Sequence, residues 1–260
     1  MRTYVSALLL LFTVTSFGQS KPKTAAGTTW KPGLQTSWQW QLTTPVDLSV
    51  NVQMYDIDGF DNAANVVSQL HAAGRKAVCY IDVGTWENWR SDAQSFPAVV
   101  KGASNGWPGE RWLDIRRIDI LGPIMTTRFQ MCKNKGFDGI EPDNIDGYTN
   151  STGFPLTYMD QINYNTFIAN TAHQLGLAVA LKNDVDQVQD LLASFDFMID
   201  EQCFQYNECS LLMPFIDAGK PVFEVEYKLN TGRFCSEANA LNFNAMKKRL
   251  SLNAYRVACR

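Results

Sequence analysis

Acidic residues follow most of the short apolar runs in this sequence. Tyr55-Asp56, Ile81-Asp82 and Asp200-Glu201 are such run ends, and the richest one carries Glu141, Asp143 and Asp146 within six residues. A buried carboxylate loses its hydration, so stability alone would favour Ser, Thr or Asn at these positions. The recurrence therefore indicates a functional cleft rather than a solvated rim.

Asp143 and Glu201 are the pair that we expect to carry the chemistry. Cleavage of a glycosidic bond needs one carboxyl group to protonate the leaving oxygen and a second to attack the anomeric carbon or to activate water. If their runs are strands two apart in a barrel, the two would face each other near the ~5–5.5 Å separation of a retaining pair. Glu141 is a rival because it precedes Asp143 by two residues and shares its facing. Asp200 is a weaker candidate, since it points away from Glu201.

The predicted substrate-binding residues are the other polar and aromatic side chains at the ends of these runs. Aromatic rings stack on sugars or contact cations, and Lys182 with Asn183 would orient the nucleophile or a sugar hydroxyl. Structural roles compete for several of them: core packing for Trp40 and Tyr80, a hydrogen bond for Asp82, and an ion pair for Lys182. The set comprises Trp40, Asp56, Tyr80, Asp82, Glu141, Asn144, Asp146, Tyr148, Lys182, Asn183, Gln202, Glu226 and Tyr227.

Repeated β-rich runs and helical patterns would position these residues. Amphipathic helices are predicted near 62–73 and 161–174, each ending at a glycine, and another ends at 218–221. Strands that alternate with helices predict an α/β fold, a (β/α)8 TIM-type barrel. An open doubly wound sheet is the alternative, but no GxGxxG follows the first run. The predicted strands are 38–42, 50–55, 76–81, 136–141, 177–181, 196–200, 221–225 and 253–257.

The N-terminus of the 260-residue chain has the pattern of an export signal. Residues 1–18 combine a charged start, an apolar run and small residues near a cleavage site. That run is shorter than the ~20 residues that span a bilayer, and an anchor or a buried strand is the alternative. We expect a leader at 19–36 and a single catalytic barrel domain at 37–260. No membrane association is predicted, and a monomer is the default expectation.

Charge and cysteine usage narrow the function classes. The formal net charge is −3 and the pI is about 5.4, so the chain lacks the basic footprint of a nucleic-acid partner. Six cysteines in an exported chain favour disulfides: we expect most of the six to be bridged and the pairing to involve the 203–259 half, but the partners are not fixed. With no CxxC and only His71 and His173, a zinc site is disfavoured. The cysteines are Cys79, Cys132, Cys203, Cys209, Cys235 and Cys259.

The sequence resembles glycoside hydrolase family 114, the endo-α-1,4-polygalactosaminidases. The motifs are Gly136-Phe-Asp-Gly-Ile-Glu-Pro-Asp-Asn-Ile-Asp-Gly-Tyr148, Trp38-Gln-Trp-Gln-Leu42, Tyr55-Asp-Ile-Asp58, Cys79-Tyr-Ile-Asp-Val-Gly84 and Asp200-Glu-Gln-Cys203. The resemblance implies internal cleavage of α-1,4-linked galactosamine polymers with retention and without metal or other cofactor. It implies Asp143 as nucleophile and Glu201 as acid/base. Its polysaccharide partner would be cationic and attracted by the surplus acids, and the export pattern of residues 1–18 predicts that the enzyme is secreted.

Two other functions remain open from the residues. A non-catalytic barrel lectin that binds cationic amino-sugar polymers would use the same acids and aromatics, although it need not keep both Asp143 and Glu201. A metal-dependent hydrolase or deacetylase would use Asp143 with Asp146, or Asp56 with Asp58. Metal sites of that kind usually recruit histidine, and neither histidine lies near the end of a predicted strand.

Overall fold

The computed structural model describes residues 29–260; the predicted signal peptide at 1–18 and residues 19–28 of the predicted leader lie outside them. The strands are β1 (Trp38–Gln41), β2 (Met54–Asp58), β3 (Lys76–Asp82), β4 (Thr85–Glu87), β5 (Lys101–Ser104), β6 (Glu110–Leu113), β7 (Gly139–Asp143), β8 (Ala178–Lys182), β9 (Phe197–Glu201), β10 (Val222–Glu226), β11 (Asn244–Lys247) and β12 (Val257–Ala258). The α-helices are α1 (Ala64–Ala72), α2 (Ile118–Lys135), α3 (Tyr158–Gln174), α4 (Val188–Leu191), α5 (Cys203–Tyr206), α6 (Met213–Asp217) and α7 (Thr231–Ala240).

Eight parallel strands form the main sheet and confirm the predicted α/β barrel. They pair in the order β1-β2-β3-β7-β8-β9-β10-β11, and β12 adds antiparallel to β11. We call the junction between the first and last parallel strands, β1 and β11, the seam. Within residues 29–260, no backbone hydrogen-bond ladder joins these two strands. Side chains bridge it instead: Trp38 Nε1 donates to the Asn244 carbonyl at 2.8 Å, and Lys248 Nζ donates to Gln39 Oε1 at 3.2 Å.

Alternating residues of each strand fill two separate cores. Trp38, Met54, Phe197 and Phe223 belong to the cluster inside the sheet. Their neighbours along the strands, such as Tyr55 and Met198, pack instead against the helices in the larger outer cluster. This period of two decides which strand-end acids face the cleft and which face the helices.

Local sequence features explain where two of the predicted helices begin or end. A capping box starts α3, because the Thr157 side chain accepts from the Asp160 backbone N–H while Asp160 accepts from the Thr157 backbone N–H. Gly176 follows α3 at φ 69°, and Gly74 follows α1 at φ 72°, a conformation that favours glycine. The predictions at 62–73 and 161–174 are therefore confirmed, with ends shifted by a few residues.

The eighth predicted strand, 253–257, is wrong. The eighth parallel strand is β11, and residues 253–257 lie across the seam, where the Ala254 carbonyl accepts from Gln39 Nε2 at 2.9 Å. The polar residues Asn244 and Lys247 at the ends of β11 conceal it, because only its two central residues are apolar.

The sequence patterns also gave no warning of an insertion between β3 and α2. It contains a small antiparallel sheet in the order β4-β6-β5. Because it leaves the carboxyl end of β3, it stands on the face of the barrel where parallel strands end and where active sites of such barrels lie. It therefore forms one wall of the cleft described below.

Three disulfides pair all six cysteines: Cys79–Cys132, Cys203–Cys209 and Cys235–Cys259. The expectation of disulfides is confirmed, and the first pair adds a bridge outside the 203–259 half. It links β3 to α2 beneath the insertion. In the described part of the chain, no helix is long and apolar enough to cross a membrane.

Candidate active site

Three neighbouring strands each end on a polar side chain of the cleft. Asp143 is the last residue of β7, Lys182 of β8 and Glu201 of β9. The next residue has a positive φ in every case: Asn144 at 59°, Asn183 at 56° and the residue after Glu201 at 69°. Left-handed backbone turns the chain sharply after each strand, and asparagine tolerates it better than most residues. The turn leaves each of the three side chains at the rim of the barrel.

Lys182 connects the two carboxylates that sequence reasoning paired. Its Nζ lies 2.9 Å from Asp143 Oδ1 and 2.7 Å from Glu201 Oε2. The two oxygens can therefore be no farther apart than the sum of these distances. One ammonium contacts both carboxylates only when they are close together, which favours the ~5–5.5 Å spacing of a retaining pair. The ammonium is only 2% exposed and lies 5.3 Å from the Trp40 ring centre, a cation–π contact.

Tyrosines and an asparagine fix the orientation of both carboxylates. The Tyr80 hydroxyl donates to Asp143 Oδ2 at 2.7 Å. The Tyr227 hydroxyl donates to Glu201 Oε1, and Asn183 Nδ2 donates to Glu201 Oε2 at 3.2 Å. Both carboxylates thus keep a defined facing without substrate, as preorganised catalysis requires.

The charges in this centre favour an ionised Asp143. Burial opposes ionisation, but the Lys182 ammonium and the hydrogen bonds from Lys182 and Tyr80 outweigh it and hold the pKa of Asp143 below its ordinary value. Burial would lower the pKa of Lys182, yet Asp143, Glu201 and Glu141 raise it well above its ordinary value. Lys182 is therefore a fixed positive charge between two carboxylates.

Glu141 and Asp56, both predicted to bind substrate, lie beneath the cleft and do not line it. Both are fully buried, and none of their four carboxylate oxygens has a hydrogen-bond partner within residues 29–260. Burial and the neighbouring Asp56 hold the pKa of Glu141 well above its ordinary value, and burial does the same for the pKa of Asp56. Two adjacent buried carboxyl groups do not both ionise, and Glu141 is therefore disfavoured as the nucleophile.

Asp82 has the structural role that competed with substrate binding. It is buried, and its carboxylate accepts from the backbone N–H groups of Gly84 and Thr85 at 3.1 and 2.7 Å. Asn144 Nδ2 donates to Asp82 at 2.8 Å. Asp82 thereby fixes the residue that follows Asp143.

The cleft has a volume of ≈ 450 Å³. It brings together both predicted catalytic residues and seven of the predicted binding residues: Trp40, Tyr80, Asn144, Asp146, Lys182, Asn183 and Tyr227. Burial raises the pKa of Asp146 to about 6, with Asp143 adding to the rise and Lys182 opposing it. Sequence reasoning missed the remaining lining residues, which are Leu42, the insertion residues Trp107, Glu110 and Trp112, Asn150, and the 250–252 segment.

Three more predicted residues lie elsewhere. Glu226 faces the helices, because the inward positions of β10 are Phe223 and Val225, and its Oε1 accepts from the Gln205 backbone N–H at 2.9 Å. Gln202 lines a neighbouring basic pocket, and Tyr148 lines a second cleft described below. Among residues 29–260, no three His, Cys, Asp or Glu side chains are grouped to hold a metal ion.

Comparisons with known proteins agree with this geometry. The sequence profile of glycoside-hydrolase family GH114 matches residues 19–260. The crystal structure of Ega3 from Aspergillus fumigatus in complex with galactosamine is similar, with a TM-score of 0.85 and 37% identity over 92% of this chain and 100% of that one. The glycoside hydrolase domain of PelA from Pseudomonas aeruginosa has a TM-score of 0.66 and 13% identity, over 85% and 97% of the two chains. No curated protein matched the chain in a sequence comparison.

A barrel of this type with paired carboxylates at its mouth, together with these matches, defines a glycoside hydrolase. The chain belongs to glycoside-hydrolase family GH114, as its sequence motifs predicted.

Proposed function

We propose that this protein is a secreted, endo-acting glycoside hydrolase that cleaves α-1,4-linked galactosamine polymers with retention of configuration. The observation that carries the proposal is the Asp143–Lys182–Glu201 arrangement, in which one buried ammonium contacts both carboxylates at 2.9 and 2.7 Å. Its short span supports a retaining mechanism, because an inverting pair needs room for a water molecule.

In the first step Asp143 attacks the anomeric carbon, and Glu201 gives a proton to the departing glycosidic oxygen. In the second step Glu201 takes a proton from water, which attacks the same carbon and frees Asp143. The tyrosine contacts keep each carboxyl group directed at its task. The lowered pKa of Asp143, caused by Lys182 against the effect of burial, keeps the nucleophile ionised.

Lys182 stabilises the negative charge of the reaction whether it lies on Asp143 or on Glu201. The two-step reaction requires an ionised Asp143 and a protonated Glu201 before attack, and an Asp143 ester and an ionised Glu201 after it. One negative charge has moved between the two carboxyl groups, and the same ammonium contacts both. Because this ammonium is fixed in a buried position, the transfer needs no reorganisation of solvent.

Substrate and location rest on separate support. Ega3, at 37% identity, was crystallised with galactosamine. The cleft carries Glu110, Asp143, Asp146 and Glu201 against a single lysine, a balance that attracts a cationic sugar. Three disulfides and the export pattern of residues 1–18 support secretion, because disulfides persist in oxidising compartments.

The test is release of new reducing ends from an α-1,4-galactosamine polymer. Asp143→Asn and Glu201→Gln keep size and are expected to fold as the wild type does, yet to lose at least a thousandfold in rate. Asp217→Asn is the control, since it removes an exposed carboxylate from α6 outside the cleft. Full activity in either cleft variant would refute the assignment, and polymer binding without any cleavage by the wild type would favour the lectin.

A further inference from the structure

A second cleft opens beside the first. Its volume is ≈ 330 Å³, and it shares Asp146, Asn183 and Glu201 with the active-site cleft. Its remaining wall is acidic and aromatic, and none of its lining residues is a lysine or an arginine. The new residues that matter below are Tyr148, Asp184, Asp200, Tyr206 and Glu208.

Two carboxylates in this wall have unused hydrogen-bonding capacity. Asp184 and Asp200 are 4% and 1% exposed, and in the described part of the chain the Oδ1 atom of each has no hydrogen-bond partner. The Tyr148 hydroxyl is also without a partner. A buried polar atom that lacks a partner costs about 1–3 kcal/mol, more for a charged group. A ligand that donates several hydrogen bonds and carries positive charge would satisfy these atoms.

The surroundings of the carboxyl groups in the second cleft favour their neutral forms. Burial and the nearby Asp146 raise the pKa of Asp184 to about 8. Burial and the charges of Glu208 and Glu201 raise the pKa of Asp200 well above its ordinary value, although Lys182 opposes the rise. A cation bound beside either carboxylate would lower its pKa, since an opposite charge nearby favours the ionised form.

An aromatic side chain stands at the mouth of the cleft on an ordered loop. Tyr206 is 59% exposed and lies in the loop that the Cys203–Cys209 disulfide closes, together with Glu208. Glu226, which faces away from the first cleft, accepts from the backbone of this loop at Gln205. The loop is held before ligand binds, so its tyrosine offers a preformed face for a sugar ring.

The position of the cleft indicates which part of a polymer it would take. It reaches Glu201, which protonates the departing oxygen, but its lining includes neither Asp143 nor Lys182. Building on the proposed function, we propose that it is a subsite for the galactosamine unit on the leaving-group side, binding the ammonium at Asp184 and the ring on Tyr206. An N-acetylated unit carries no ammonium, so this subsite selects deacetylated sugar.

The test measures binding without turnover by titration calorimetry. The host is the Asp143→Asn variant, and the probes are the α-1,4-linked galactosamine tetrasaccharide and its fully N-acetylated form. Adding Asp184→Asn is expected to weaken binding of the amine form at least tenfold, and adding Tyr206→Ala about tenfold. Binding of the N-acetylated form is expected to be weaker in the host and to change less than threefold with Asp184→Asn.

Controls separate this claim from folding and from the proposed function. Asp217→Asn in the same host is expected to change affinity less than twofold, and Tyr206→Ala covers the case in which Asp184→Asn fails to fold. Equal affinity of the host, Asp184→Asn and Tyr206→Ala, or no binding by the host, would overturn the subsite. If the wild type cleaves the polymer but these affinities are equal, the hydrolase function holds and the subsite proposal fails. If the variants lose affinity but the wild type cleaves nothing, the subsite proposal holds and the hydrolase function fails.

Discussion

Removing the ammonium between the two carboxylates gives the sharpest prediction. Lys182→Met keeps the length of the side chain and its packing near Trp40, but it leaves Asp143 and Glu201 without their shared cation. Two carboxyl groups this close repel each other when both are ionised. The pKa of Asp143, which Lys182 holds down against burial, must then rise.

The magnitude follows from the contacts. At an effective dielectric constant of about 20, unit charges ~4 Å apart interact by about 4 kcal/mol, and both contacts of Lys182 are shorter than this. Breaking a buried pair costs about 3–5 kcal/mol. If most of that cost falls on the transition state, kcat/KM drops on the order of 10²- to 10³-fold.

The assay is the pH dependence of kcat/KM on the galactosamine polymer. In the wild type the acid limb reports ionisation of the nucleophile, and in Lys182→Met this limb is expected to move to higher pH by at least one unit. Lys220→Met is the control: it removes a half-buried ammonium that donates to the Phe195 carbonyl at 2.6 Å, away from the cleft. An unmoved acid limb in Lys182→Met would refute the charge-transfer argument, whatever the loss in rate.

Three further predictions concern stability and positioning. A Cβ at Gly84 would lie 1.6 Å from the Asn144 carbonyl oxygen, so Gly84→Ala displaces the turn after Asp143. Activity falls on the order of 10²-fold and thermal unfolding occurs at a lower temperature. Gly232→Ala, whose Cβ meets nothing within 4 Å, lowers neither the activity nor the Tm. Because the native pKa of Asp184 is raised to about 8, the folded state retains a proton that the unfolded chain has lost, and stability falls as pH rises from about 4 to 8. The Tm of Asp184→Asn should therefore exceed that of the wild type at pH 8 and approach it near pH 4; a constant difference would contradict this. Removing the Cys203–Cys209 disulfide with the double variant Cys203→Ser and Cys209→Ser should lower the free energy of unfolding by about 2 kcal/mol in denaturant titration. It should also raise KM for the polymer more than it lowers kcat. A larger effect on kcat than on KM would show that the loop serves the chemistry.

The sequence was most informative about the positions of the barrel strands. Seven of the eight barrel strands were predicted within a few residues of their bounds, because buried parallel strands appear as short apolar runs. β11 was not predicted because its two end residues are polar. The insertion was not predicted because it shows neither the short apolar runs of buried strands nor the pattern of an amphipathic helix. Its contribution to the cleft wall, including Trp107 and Trp112, had no sequence signal beyond the tryptophans themselves.

It was harder to predict which face of the sheet each strand residue occupies. When both faces of a sheet are buried, apolar residues occupy both, and alternation does not reveal which side is the interior. Glu226 was therefore assigned to the cleft although it faces the helices, whereas Asp184, which lines the second cleft, was not proposed at all. The sequence also does not show how deep a side chain at a strand end lies below the rim of the barrel. Asp56 and Glu141 were therefore assigned to the cleft although both are fully buried.

The most direct test of the central claim is the configuration of the first product. Proton NMR during hydrolysis of an α-1,4-galactosamine polymer by the wild-type enzyme distinguishes the anomers before they equilibrate. Attack by Asp143 followed by water on the same carbon predicts that the new reducing end appears first as the α-anomer. Initial release of the β-anomer would contradict the two-step mechanism and the role of Asp143 as nucleophile.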